Sequence, residues 1–364
     1  MHQPLVKRIL SAIAEPFDGW LLAFLGGVFI LSMLVLYSAS NQSWYKLDNK
    51  VAYTMLSLMV MWALAKARPQ AVMNFAPPLY AVGVMLLIGV ALFGVSVNGS
   101  RRWLSLGIVR IQPSEIMKIA VPMMLAWFFQ KYETTLNWRH YIVAALLILV
   151  PSALVLKQPD LGTAVLIMGA GFFVLFFAGL SWKVIIGGLV AFAASLPVVW
   201  NLMHDYQRRR ILTLIDPMQD PLGDGYHIIQ SMIAIGSGGP WGKGWLNGSQ
   251  THLDYIPERT TDFIFAVYSE EFGLIGNLTL VVLYLCIISR GMMITARAQT
   301  LYGRLLAGAI TMSFFVYAFV NMGMVAGILP VVGVPLPFMS YGGTATVSLA
   351  VALGMLMSIG NRNR

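Results

Sequence analysis

The chain has 364 residues, of which 58% are hydrophobic and 11% charged, with a mean hydropathy of +0.74. Soluble domains carry about 25% charged residues, so a water-soluble fold is excluded. The net charge of +9 is scattered among short segments between apolar runs, which argues against a nucleic-acid surface and for charges that orient the chain in a bilayer.

The apolar runs are about 17 to 25 residues long rather than alternating ten-residue strands, so the chain reads as an all-α integral membrane protein, not a barrel. Ten spans are predicted, at 18–38, 49–66, 77–97, 113–130, 141–157, 161–179, 183–201, 263–289, 304–328 and 343–360. They make a single polytopic membrane domain over 1–364. The first run, Gly19 to Tyr37, follows Lys7 and Arg8 and precedes Ser38-Ala39-Ser40, as in a cleavable leader. It is longer than a leader core of 7–15 residues and further spans follow, so it is read as a retained helix. The fifth, sixth and seventh spans are nearly continuous and are separated at Lys157-Gln158-Pro159-Asp160 and Gly179-Leu180-Ser181-Trp182-Lys183.

An even number of spans puts both termini on one face. Lys7, Arg8, Lys66, Arg68, Lys131, Arg139, Lys183, Arg290, Arg297, Arg304, Arg362 and Arg364 all fall there, and the positive-inside rule makes it cytoplasmic. The short loops opposite hold Lys46, Lys50, Arg101, Arg102, Arg110 and Lys157. The loop from 202 to 262 is far longer than the others and is expected to carry part of the working site on the extracytoplasmic face. Within it, Ile228, Ile229, Met232 and Ile233 recur at helical spacing before Gly236-Ser237-Gly238-Gly239, which predicts an amphipathic helix that either lies at the membrane interface or packs on the bundle. Cys286 sits alone in an apolar run and has no partner for a disulfide or thiolate cluster.

Ionisable residues at membrane depth are costly and mark functional candidates. In Arg110-Ile111-Gln112-Pro113-Ser114-Glu115-Ile116-Met117-Lys118, Pro113 suits a first helical turn and Glu115 faces Lys118 at i, i+3. The pair can be a structural ion pair, or Lys118 with Arg101, Arg102 and Arg110 can form a cationic phosphate site. In Gln158-Pro159-Asp160-Leu161-Gly162-Thr163, Asp160 can cap the next helix, hold a cation or position Lys118. In Pro257-Glu258-Arg259-Thr260-Thr261-Asp262-Phe263, Glu258 and Asp262 stand at i, i+4 if helical, and Asp262 precedes an apolar run. Desolvation there would raise its pKa and make it a proton acceptor, although capping a helix is the commoner role for such an aspartate. The glycine-rich stretches at 236–244 and 333–343 lack the Lys-Ser/Thr ending of a P-loop and fit non-helical backbone lining a cavity.

Six stretches occur together in order: NGSRRWLSLG from Asn98, QPSEIMK from Gln112, QPDLGTA from Gln158, GYHIIQSMIAIGSGGPWGKGW from Gly225, PERTTDFIFA from Pro257 and GILPVVGVPLPFMSYGG from Gly327. This set resembles the SEDS family of shape, elongation, division and sporulation proteins over essentially the whole chain, and Leu329 to Pro337 resembles its elongation branch more than its division branch. The resemblance implies a ten-span glycosyltransferase that polymerises lipid II, the undecaprenyl-pyrophosphate-linked disaccharide pentapeptide, alongside a class B penicillin-binding protein. It implies that Asp262 is the catalytic aspartate and that Glu115, Lys118 and Asp160 line a central cavity. One carboxylate can suffice, since a pyrophosphate leaving group needs charge stabilisation rather than a proton. Asp262 would be the general base on the acceptor hydroxyl, with Arg101, Arg102, Arg110 and Glu258 near the substrate. Cationic residues or a divalent cation (Mg2+ or Mn2+) would stabilise the pyrophosphate, and no organic cofactor is expected. Many spans with buried charges also describe a lipid II flippase, and a noncatalytic scaffold for the penicillin-binding protein is a third reading.

Overall fold

A computed structural model of the chain describes residues 15–97, 100–105, 110–203, 205–219, 223–253, 255–256 and 258–361. Ten helices of 17 residues or more run through these residues, and each predicted span falls on one of them. They are α1 Gly19–Ala39, α2 Trp44–Lys66, α3 Pro69–Phe93, α4 Pro113–Lys131, α5 Trp138–Leu156, α6 Leu161–Phe177, α7 Trp182–Leu202, α11 Ile264–Arg297, α12 Leu301–Val325 and α13 Gly343–Asn361. Between α7 and α11 lie the shorter α8 Asp205–Ile215, α9 Asp224–Gly238 and α10 Ser249–His252.

Six of the ten, α1, α3, α5, α11, α12 and α13, are long and apolar enough by themselves to cross a bilayer. Of the remainder, α6 and α7 are apolar but shorter over their hydrophobic stretch, while α2 and α4 carry charged residues. α4 tolerates Glu115 and Lys118 because it packs against α3, α6 and α12 inside the bundle, burying Met117, Ala120, Val121 and Leu125. The chain returns to the face where it began: Asn361 Nδ2 donates to Pro16 O at 2.5 Å, and Arg290 on α11 pairs with Asp18, the N-cap of α1. Of the charges used for orientation, Lys7, Arg8, Arg362 and Arg364 lie outside the described residues.

Several boundaries differ from the hydropathy reading. The third span begins at Pro69, not residue 77, with Pro69 in the first turn and Pro77-Pro78 inside the helix. The second begins at Trp44, which takes Lys50 out of the loop to which its charge assigned it and buries it. The connection after α3 is a small antiparallel sheet, β1 Val95–Val97, β2 Ser100–Ser105 and β3 Arg110–Ile111, in the order β1-β2-β3. In the glycine stretch at 236–244, Gly236 to Gly238 are helical, and the chain leaves α9 at Gly239, where φ is +58°. α9 buries Ile228, Ser231 and Ala234 against the bundle while exposing Met232 and Ile233, so it packs on the bundle and keeps an apolar outer edge.

α11 is 34 residues long, about 51 Å at 1.5 Å per residue, against a hydrocarbon core of about 30 Å. It breaks at Gly273, where φ is +63°. The glycine loop mends the break: Lys243 N and Gly244 N donate to Glu270 O and Glu271 O at 3.0 Å, and Leu274 N donates to Gly239 O at 2.9 Å. Glu270 in turn accepts from Lys243 Nζ at 2.7 Å and Gln250 N at 3.0 Å. This approach requires glycine, since a Cβ at Gly242 would lie 2.1 Å from Glu271 O. Gly242→Ala is therefore expected to cost about 2–4 kcal/mol, read as a lowered melting temperature. Gly236→Ala, whose Cβ meets nothing within 4 Å, is the control and should leave melting near the wild-type value.

Candidate active site

Asp262 sits in the turn that leads into α11. Thr261 N and Phe263 N both donate to Glu258 O, at 3.0 and 3.2 Å, closing a tight turn in which Glu258 has φ +48°. The turn is not helical, so Glu258 and Asp262 do not stack at i, i+4. Asp262 is not a helix cap either: α11 begins at Ile264, its N-cap is Phe263, and no side chain caps it. The capping expectation fails because the helix starts one residue too late for Asp262 to reach its free amides.

The Asp262 carboxyl is left with a different environment. Phe263 is buried and stacked on His227 with ring centroids 5.6 Å apart, and Gly333 faces Asp262 so closely that a Cβ there would lie 3.5 Å from Oδ2. Among the described residues no donor binds this carboxylate. Burial, followed by the negative charge of Glu258, pushes its pKa up to about 6, poised for a base operating near neutrality.

The backbone of this turn is held at three successive carbonyls. Tyr341 N donates to Thr260 O at 2.8 Å, Ser340 Oγ to Thr261 O at 2.6 Å and Asn321 Nδ2 to Asp262 O at 2.8 Å. Asn321, on α12, is 0% exposed and also donates to Val334 O at 2.7 Å. The sequence reading missed Asn321 and Ser340. The available signal for Asn321 was a buried-amide residue inside an otherwise apolar run.

A second polar cluster lies on the same face of α12, one turn away. Tyr317, four residues before Asn321, has Lys118 Nζ 5.1 Å from its ring centroid, and Lys118 pairs with Glu115 at 2.5 Å. The other oxygen of Glu115, Oε2, is buried without a partner among the described residues. Asp160 caps α6 through Thr163 N at 3.2 Å, as its spacing suggested, and also lies 3.8 Å from Arg102 Nη1 and 3.5 Å from Gln112 Nε2. Arg102 donates to Pro159 O at 2.6 Å, and its Nε–H has no partner among the described residues, its side chain 32% exposed. The two clusters meet at 332–334: Val334 packs with Tyr317 and Leu166, and a Cβ on Gly162 would strike Val332 O at 2.5 Å. Arg101 and Arg110 belong to β2 and β3 by backbone, and their side chains lie outside what the structure describes, as does Pro257.

Glu115 also borders an apolar groove of about 610 Å³ between α2, α3, α4 and α13, lined by Leu64, Val72, Ile119 and Val351 among others. Among the described residues no group of three or more His, Cys, Asp or Glu is arranged to hold a metal.

The chain is similar to proteins of known type along its length. It is 50% identical over 343 residues to the peptidoglycan glycosyltransferase MrdB of Escherichia coli K12, covering 94% of this chain and 93% of that one. Against the stage V sporulation protein E of Bacillus subtilis it is 33% identical over 347 residues, covering 92% and 94%. Its structure matches a chain of a peptidoglycan synthase complex that coordinates polymerization and crosslinking, with a TM-score of 0.82 and 31% identity over 95% of this chain and 98% of that one. It also matches the rod shape determining protein RodA of Thermus thermophilus, at a TM-score of 0.71 and 27% identity over 96% and 97%. The cell cycle protein model for FtsW, RodA and SpoVE matches residues 16–364, and the chain belongs to that family, a multi-pass membrane protein group.

Proposed function

We propose that this chain is a peptidoglycan glycosyltransferase that polymerises lipid II into β-1,4 glycan strands during cell elongation, with Asp262 as the general base. The observation that carries the reading is the Asp262 carboxyl: unpaired among the described residues, raised to about 6, and fixed by three backbone bonds beside Gly333. Its relatives' names, peptidoglycan glycosyltransferase above all, point the same way.

In this reading the acceptor 4-hydroxyl attacks C1 of the lipid-linked donor, Asp262 takes the hydroxyl proton, and the C1–oxygen bond to the pyrophosphate breaks. The undecaprenyl pyrophosphate leaves with the bonding electrons, and inversion at C1 turns an α-linked donor into a β bond. Charge stabilisation falls to Arg102, whose Nε–H has no partner among the described residues, and to the positive charge of Lys118. A divalent cation would add to that stabilisation at the pyrophosphate, held chiefly by the substrate phosphates. The loop from 202 to 262 carries part of this site on the extracytoplasmic face of the inner membrane, both termini are cytoplasmic, and a class B penicillin-binding protein cross-links the product.

The test is polymerisation of purified lipid II by the protein reconstituted with that partner. Wild type should form glycan strands, and Arg102→Gln should lower kcat/KM by about 10–100-fold. Lipid II crossing the vesicle bilayer without polymer would favour a flippase, and polymer made only by the partner would favour a scaffold.

A further inference from the structure

Lys50 is 2% exposed inside α2, and no carboxylate pairs with it among the described residues. Its Nζ instead donates to Phe338 O at 2.9 Å and Ser340 O at 2.7 Å. These belong to a run of four consecutive carbonyls bound by three side chains from three spans: besides the two that Lys50 holds, Tyr284 OH of α11 donates to Pro337 O at 2.8 Å, and Ser32 Oγ of α1 to Met339 O at 2.8 Å. The segment is folded tightly, with Met339 N and Ser340 N both returning to Leu336 O and with Phe338 at φ +57°. A non-glycine residue in that region is strained and stays there only when its surroundings hold it.

The same segment holds the Asp262 turn. Ser340 Oγ accepts from Leu336 N at 2.8 Å and donates to Thr261 O, while Tyr341 N binds Thr260 O. Lys50 therefore reaches Asp262 through two links, its Nζ to the Ser340 carbonyl and the Ser340 hydroxyl to the turn. A single Nζ that holds both Phe338 O and Ser340 O ties the strained turn to α2 at two points.

We propose that Lys50 is a positioning residue for glycosyl transfer, setting the place of Asp262 through the Pro337–Tyr341 segment. This rests on the assignment of Asp262 as the base. Misplacing a reacting group by about 1 Å lowers a rate about 100-fold, so Lys50→Met should lower kcat by about 10–100-fold and leave the KM for lipid II within about twofold. Lys50→Arg, which keeps a long side chain with several N–H donors, should recover part of that loss. Ser340→Ala, which removes no charge and cuts the same path downstream, should lower kcat in the same way, and the double variant should be no slower than the slower single.

Melting temperatures of all variants, measured alongside, separate positioning from folding. If Lys50→Met does not fold, Ser340→Ala and Lys50→Arg carry the test. Unchanged kcat in Ser340→Ala, multiplying losses in the double, or a loss confined to melting temperature would overturn the proposal. An inactive wild type, or an active Asp262→Ala, would instead overturn the base assignment on which it rests.

Discussion

Asp262→Asn stops glycan polymerisation and leaves the protein at least as stable as wild type at pH 7.5. General-base catalysis contributes about 10²–10⁴ to a rate, and asparagine removes the basic oxygen while preserving the size of the side chain. It also leaves the backbone bonds to Ser340, Asn321 and Tyr341 in place. The stability direction follows from the raised pKa: the fold disfavours the ionised carboxyl, so above a pH of about 6 the negative charge weakens the fold, and an uncharged amide removes that effect. An aspartate serving as a helix cap would show the reverse, a loss of about 1 kcal/mol on removal with turnover maintained. Turnover and thermal melting measured on one preparation distinguish the two.

Lys118→Met should destabilise the protein by about 3–5 kcal/mol, because it strands Glu115 as a buried charge, one of whose oxygens already has no partner. Adding Glu115→Gln should restore most of that stability, since a buried ion pair is worth little more than well-packed neutral groups of the same volume. Activity is expected to part from stability: with Lys118 in the role proposed for it at the leaving pyrophosphate, the double variant stays about 10²-fold slow. Recovery of both together would make the pair a strut and nothing more. Melting temperature and polymerisation rate of the two single variants and the double complete the comparison.

The ten helices were legible because a bilayer imposes a length on apolar runs that no soluble fold imposes. Their ends were less so. Gln70 to Asn74 is too polar to extend a hydropathy run back to Pro69, and β1 and β3, at three and two residues, are too short to show a strand period. Asp262 was picked out by its neighbourhood, yet its role as a cap or a base turned on where α11 begins, which depends on the carbonyl bonds from Ser340 and Asn321. Capping was one of three roles open to Asp160, and the bond from Thr163 N makes it a cap, while its approach to Arg102 joins residues 58 positions apart. Lys50 was misread as a loop charge because the carbonyls that bind it lie 288 and 290 residues away. Tyr317 and Asn321 carried a local signal, polar groups at i, i+4 in an apolar helix, without anything nearby in sequence to say what they faced.

The pH dependence of kcat/KM for lipid II, from pH 5 to 8, tests the central claim most directly, since it reports the ionisation of the free enzyme's base. With Asp262 as the base, kcat/KM is level above pH 7 and falls tenfold per pH unit below about 6. Glu258→Gln, by removing the charge that helps raise that pKa, moves the fall to lower pH. A profile that stays flat from pH 5 to 8, or one that Glu258→Gln leaves in place while Asp262→Asn still turns over, would contradict the assignment.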